Sequence, residues 1–124
     1  MSLFKEGNGL SIMLNGISDD DWRRNPDPER VAFISPMAQL RSGRYTTPTF
    51  LIHGEDDEIV PFHTAKKFVT ALKEHGVRSG ILGVSGAKHI HDLNLRPGVE
   101  QWRLGVQPGY DFLFEILSNC ENEE

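Results

Sequence analysis

The sequence predicts an α/β fold built on one strand–helix–strand unit, two short parallel strands with flanking helices, and three stretches carry that reading. Thr49 to Ile52 are four strand-forming residues opened by Pro48 and closed by His53-Gly54, the pattern of a short strand buried between turn signals. Ala65, Phe68, Val69 and Leu72 recur at i, i+3, i+4 and i+7, the stripe of a helix that packs on a sheet. Ile81-Leu82-Gly83-Val84 then forms a second short apolar run. Strand, helix and strand in that order make a βαβ unit, whose crossover is expected to be right-handed.

At 124 residues the chain has room for one domain. A chain of this size buries roughly two-thirds of its unfolded surface, enough for one modest core. The net charge of −5 and the absence of a basic cluster argue against a nucleic-acid or anionic-membrane partner. No apolar run reaches the length of a membrane span. Cys120 is the single cysteine, so no intrachain disulfide forms, which fits a reducing, cytoplasmic setting.

Residues 1 to 24 read as a lid-like segment or one without a clear assignment. Leu10, Ile12, Met13 and Leu14 cluster between glycines, and Asp19-Asp20-Asp21 precedes Trp22. Asp19 or Asp20 suits the cap of a short helix, where the helix dipole favours a carboxylate. From residue 25 the signals sharpen. Asp27 is placed to cap a helix that has Pro28 in its first turn, where a missing N–H costs nothing. Ser35-Pro36 stops that helix and is placed to cap another, with Met37 and Leu40 on one side.

Beyond the first strand, Asp56 and Asp57 sit in the loop at its carboxyl end, where ligands and chemistry collect in open α/β sheets. After the helix, Lys73 and His75 suit the negative end of its dipole and Gly76 offers a left-handed cap. Ser85 to Leu93 is the loop beyond the second strand, with His89 and His91 two residues apart. His89-x-His91-Asp92 also invites a zinc or iron reading, because residues two apart share a face of an extended segment. No third histidine or cysteine stands at metal-motif spacing, so neither metal nor cofactor is expected. Asn94 to Val106 reads as a polar connection. Pro108 opens a terminal helix with Tyr110, Leu113, Phe114 and Leu117 as its stripe and Phe112 and Ile116 beside them. Residues 119 to 124 are an acidic tail.

His53-Gly54-x-x-Asp57-x-x-Val60-Pro61 resembles the segment that carries the triad acid after the seventh strand of α/β-hydrolases. The resemblance puts the acid on Asp57, with Asp56 one residue early. It puts the catalytic histidine on His89, in the loop after the next strand, with His91 as the competing residue. Asp27, Pro28, Ser35, Pro36 and Leu40 are similar to the run that leads from the lid to the acid-bearing strand in hormone-sensitive-lipase-like esterases. The lead-in and the stretch Gly80 to Leu93 also resemble hydrolase domains attached to fungal polyketide synthases. Residues 25 to 118 thus look like the carboxyl-terminal part of an α/β-hydrolase domain.

A triad of this kind needs Ser first in the chain, on a Gly-x-Ser-x-Gly turn. No such turn occurs. Gly83-Val84-Ser85-Gly86-Ala87 lacks the last glycine and leads into a loop rather than a helix. Ser35 reads as a cap, and Cys120 lies beside acids, a poor setting for a thiolate. The resemblance therefore implies a fragment of a serine hydrolase acting on ester, thioester or peptide bonds. It supplies the acid and the histidine and is inactive alone, its acyl substrate met only with the missing half. The alternatives are a non-catalytic remnant used for dimerisation or binding, and one half of a split hydrolase. A strand with one unpaired edge invites another chain, so a homodimer built on the Pro48 to His53 edge is expected.

Overall fold

The computed structural model describes residues 13–14 and 25–121. The readings made for residues 1 to 24 therefore lie outside the described residues, apart from Met13 and Leu14, which are helical. Contacts divide the chain between Tyr45 and Thr46 into two compact units.

In the first unit, α1 (Pro28–Ile34) begins where Asp27 accepts a hydrogen bond from the Glu29 amide at 2.9 Å, with Pro28 in the first turn. Ser35 closes α1 through its amide, which donates to the Val31 carbonyl. Its hydroxyl then caps α2 (Pro36–Arg41) by accepting from the Ala38 amide at 3.3 Å. One serine thus satisfies groups at the end of one helix and the start of the next. Gln39 donates to the Ala32 and Phe33 carbonyls and ties the two helices together. Gly43, at φ 75°, carries the chain out of α2 in a conformation that side chains disfavour.

The second unit is the predicted βαβ. β1 (Thr49–Gly54) and β2 (Ser79–Val84) run parallel, with Thr49 opposite Ser79 and Gly54 opposite Val84. Both strands extend beyond the apolar runs that predicted them, because ladder pairing continues through His53 and Gly54 and begins already at Ser79. α3 (Phe62–Glu74) crosses between them and buries Ala65, Val69 and Leu72. Val77, just past the helix, completes this core. Burying such side chains contributes about 1.5–3 kcal/mol each for the larger ones, and Leu72 is wholly excluded from solvent. The helix ends as its sequence foretells. Gly76 takes φ 71° and the Val77 amide reaches back to the Leu72 carbonyl at 2.9 Å, which satisfies a terminal acceptor.

Two features depart from expectation. A short helix, α4 (Glu100–Gly105), forms within the stretch read as a polar connection. Its Trp102 stacks on Tyr110 with centroids 5.7 Å apart. The terminal helix, α5 (Gln107–Glu121), forms as expected but turns a different face to the sheet. Phe112 lies against Phe50 with ring centroids 5.3 Å apart. At Gly109 a methyl group would stand 2.9 Å from Ile52 Cδ1. Gly109 and Phe112 therefore meet β1, whereas Tyr110, Leu113, Phe114 and Leu117 are exposed. The absence of a side chain at Gly109 lets the helix backbone approach the strand, and that approach sets the rotation of the helix.

Candidate active site

Both loops that matter leave the carboxyl ends of paired strands. The acid-bearing loop departs from Gly54 and the histidine loop from Val84, residues directly opposite each other in the ladder. The loops are bonded to each other at their bases. The Glu55 amide donates to the Val84 carbonyl and the Asp56 amide to the Ala87 carbonyl, each at 3.0 Å. Gly54 is required for this closeness, since a Cβ there would collide with the Ala87 carbonyl oxygen.

Asp57 is held on both carboxylate oxygens. Oδ1 accepts the backbone N–H groups of Ile59 at 2.9 Å and Val60 at 2.8 Å. Oδ2 accepts from His89 Nδ1 at 2.9 Å. The Asp57 side chain is only 5% exposed. Burial opposes its ionisation, but the Val60 amide, the His89 imidazole and the Ile59 amide outweigh that cost and bring its pKa from 3.8 down to about 2. At neutral pH Asp57 is a carboxylate, and Nδ1 of His89 carries the hydrogen that the carboxylate accepts. Nε2 of His89 is left without a protein partner among the described residues.

The structure thus brings together Asp57 and His89. Asp56 is exposed and joins the assembly only through its backbone. His91 does not reach the carboxylate. Its Nε2 is buried without a hydrogen bond, 3.6 Å from where a Cβ of Gly105 would lie. Ser85 stands in the tight turn that Ala87 closes onto Val84, with Gly86 at φ 72°, so the Gly83 to Ala87 string forms a β-turn and no strand-to-helix elbow. Among the described residues no set of three His, Cys, Asp or Glu side chains is grouped to hold a metal ion, and no helix is long and apolar enough to cross a membrane.

A cavity of about 250 Å³ opens beside the pair, lined by His53, Asp57, His89, Ile90, His91 and Gly105 among others. Ile59, Ile90 and Leu93 stand exposed on the two loops. Ile90, directly after His89, holds φ 49°, a left-handed conformation that costs a β-branched residue energy. Sequence reasoning missed one member of this site. His53, read as the end of a strand and the first residue of the motif but given no role, places Nε2 2.7 Å from the Val60 carbonyl oxygen and 3.3 Å from Asp57 Oδ2.

In comparison with known proteins, residues 11–118 match the prolyl oligopeptidase family. The chain belongs to that family. It is accordingly a member of the α/β-hydrolase superfamily, and its two parallel strands with flanking helices are a partial α/β-hydrolase fold. Among curated proteins, it is 48% identical over 117 residues to non-reducing polyketide synthase atr1 of Stereocaulon alpinum, covering 94% of this chain and 5% of that protein. It is 46% identical over 121 residues to non-reducing polyketide synthase ascC of Acremonium egyptiacum, covering 97% of this chain and 6% of the relative. A more distant relative is the 5-methylorsellinic acid synthase of Aspergillus terreus, 36% identical over 102 residues, with 81% of this chain and 4% of that protein covered. The prolyl oligopeptidase-family chain thus spans about one-twentieth of the curated relatives it matches. Among solved structures, the propionate-bound esterase Est2 of Thermogutta terrifontis shares 30% identity at a TM-score of 0.44, over 59% of this chain and 25% of the esterase.

Proposed function

We propose that this chain supplies the acid and the base of a Ser-Asp-His hydrolytic triad, as the carboxyl-terminal part of a hydrolase domain. The observation that carries the reading is the 2.9 Å bond from His89 Nδ1 to a carboxylate that is itself fixed by two backbone amides. Such a bond fixes the tautomer in which Nε2 is free to accept a proton. When a serine hydroxyl from a preceding part of the domain attacks an acyl carbonyl, its proton passes to Nε2 of His89. The imidazolium, stabilised by Asp57, then gives that proton to the departing thiol, alcohol or amine. Water repeats the cycle on the acyl-serine, its proton going to Nε2 and its oxygen to the acyl group, and the serine is regenerated. Similarity to polyketide synthases favours an acyl thioester as the bond and a thioesterase-type release as the reaction.

The nucleophile turn is absent from this sequence, so the chain alone is expected to be silent toward a fluorophosphonate probe and toward chromogenic esters. A longer piece of the natural protein that includes a Gly-x-Ser-x-Gly is expected to turn over small thioesters, and to lose that turnover when His89 is replaced by alanine. Labelling of Ser85 in the chain alone would overturn the assignment of the nucleophile. Turnover in the longer piece that survives His89→Ala would overturn the assignment of the base.

One observation favours a second reading, in which the chain also pairs with a copy of itself. Among the described residues β1 pairs only with β2, and α5 shows an exposed apolar row of Tyr110, Leu113, Phe114 and Leu117. The same β1 edge from two copies can join antiparallel into one sheet about a two-fold axis. Sedimentation at micromolar concentration tests this. A species of twice the 14.0 kDa chain mass is expected, and a monomer under those conditions would remove the dimer from consideration.

A further inference from the structure

We infer that His53 is a positioning residue, which holds the exit of the acid-bearing loop and thereby keeps Asp57 on His89. The inference rests on the reading of Asp57 and His89 as acid and base, and it concerns a residue that has no part in proton transfer itself.

The loop between β1 and α3 is secured differently at its two ends. Its entry is held by backbone bonds to the neighbouring strand and loop, Glu55 to Val84 and Asp56 to Ala87. Its middle is folded on itself, with Asp57 Oδ1 accepting from Ile59 and Val60. Its exit has one cross-link among the described residues, the 2.7 Å contact between His53 Nε2 and the Val60 carbonyl oxygen. A carbonyl can only accept, so Nε2 of His53 carries a hydrogen whether the ring is neutral or charged. The ring is only 17% exposed and packs on Phe62 at 5.8 Å, which fixes its plane from the first turn of α3.

This geometry has a second consequence. The same Nε2–H lies 3.3 Å from Asp57 Oδ2, the oxygen that already accepts from His89 at 2.9 Å. Two imidazoles therefore converge on one oxygen, the nearer making the catalytic bond and the farther supporting it. Because His53 donates chiefly to Val60, it steadies the carboxylate without displacing His89. Removing the donor would leave the Val60 carbonyl without its side-chain partner and free the segment whose amides hold Oδ1, so the carboxylate would move with it.

The test uses the chain as it is and reads the imidazole of His89 directly by ¹⁵N NMR, with no need for turnover. In the unaltered chain, His89 is expected as the Nδ1–H tautomer with that hydrogen slow to exchange with water. His53→Gln is expected to keep this signature, since an extended amide nitrogen can take the place of Nε2. His53→Met fills the same space with no donor, and is expected to lose protection of the His89 hydrogen at least tenfold while the backbone amides of β1, α3 and β2 keep their protection. Should methionine not be tolerated, His53→Asn, whose shorter amide falls short of Val60, is expected to show the same loss. Full protection of the His89 hydrogen in the methionine or asparagine variant would overturn the proposal. So would equal loss in the glutamine variant, because the donor would then not be the means. In the longer, nucleophile-bearing piece, His53→Met should lower kcat with little change in KM and His53→Gln should restore it. A failure of turnover in that piece tests the hydrolase reading alone, since the NMR signature does not depend on it.

Discussion

The two loops that meet at the site are built on opposite plans. The acid-bearing loop is bonded throughout, its carboxylate 5% exposed and held on both oxygens. The histidine loop carries a ring that is 37% exposed, followed by an isoleucine at φ 49° and flanked by exposed Ile90 and Leu93. The difference matches what each partner would do in the proposed triad. A carboxylate that fixes a tautomer works only if it stays put, so it is placed where its hydrogen bonds are complete. An imidazole that exchanges protons with reactants needs one nitrogen tied and the other accessible, so it is placed at the rim.

The largest expected effect breaks the partnership outright. In a nucleophile-bearing piece of the domain, Asp57→Asn leaves the shape intact but favours the wrong histidine tautomer, and turnover should fall by roughly four orders of magnitude, measured as kcat on a small thioester. Gly54→Ala attacks the place where the loops touch. Its methyl group has no room beside the Ala87 carbonyl, and denaturant unfolding should show a loss of about 1–3 kcal/mol, the usual range for forced overpacking.

A smaller effect appears with acid. The pKa of Asp57 is lowered from 3.8 to about 2 on folding, so the unfolded chain binds the proton more readily than the folded one. The stabilisation from this group is fully present above the unfolded value and is lost as pH falls toward the folded one. Acid unfolding between about pH 4 and pH 2 should therefore be less steep in Asp57→Asn than in the unaltered chain. Unchanged steepness would mean that the carboxylate is not held as described. The smallest effect sharpens the comparison from the histidine side. Ile90→Gly removes left-handed strain of roughly 1–2 kcal/mol and adds about 0.5–1 kcal/mol of chain entropy cost. A net gain in stability of a few tenths to about 1 kcal/mol should be seen, where the same change in a relaxed loop would destabilise.

The βαβ unit was legible because its signals are the strong ones: two short apolar runs between turn residues and a stripe that repeats every turn of a helix. Asp57 and His89 were legible from a motif and from their places after successive strands. Other features were not. α4 is six residues long and has too few apolar positions to show a period. On α5, the row Tyr110, Leu113, Phe114 and Leu117 has the spacing of a buried face, yet the face that meets β1 contains Gly109, a residue that no hydrophobic pattern marks. The contact of His53 was not legible, although the residue stands in the motif, because it depends on the path by which the chain brings the Val60 carbonyl back to the strand. Side-chain type and spacing alone do not encode that return.

The parallel register has a consequence for how the site comes into being. Thr49 pairs with Ser79, and Asp57 bonds His89 across 32 residues of chain, so the ladder and the pair are separated by nearly the same stretch. One closure of that stretch, whose entropic cost grows only slowly with its length, aligns the strands and seats the imidazole on the carboxylate together. No second search is then required for the imidazole, although parallel pairing across such a stretch is itself a slow kind of contact to form. The pairing of the strands and the meeting of the acid with the base are therefore expected to share one closure of the chain.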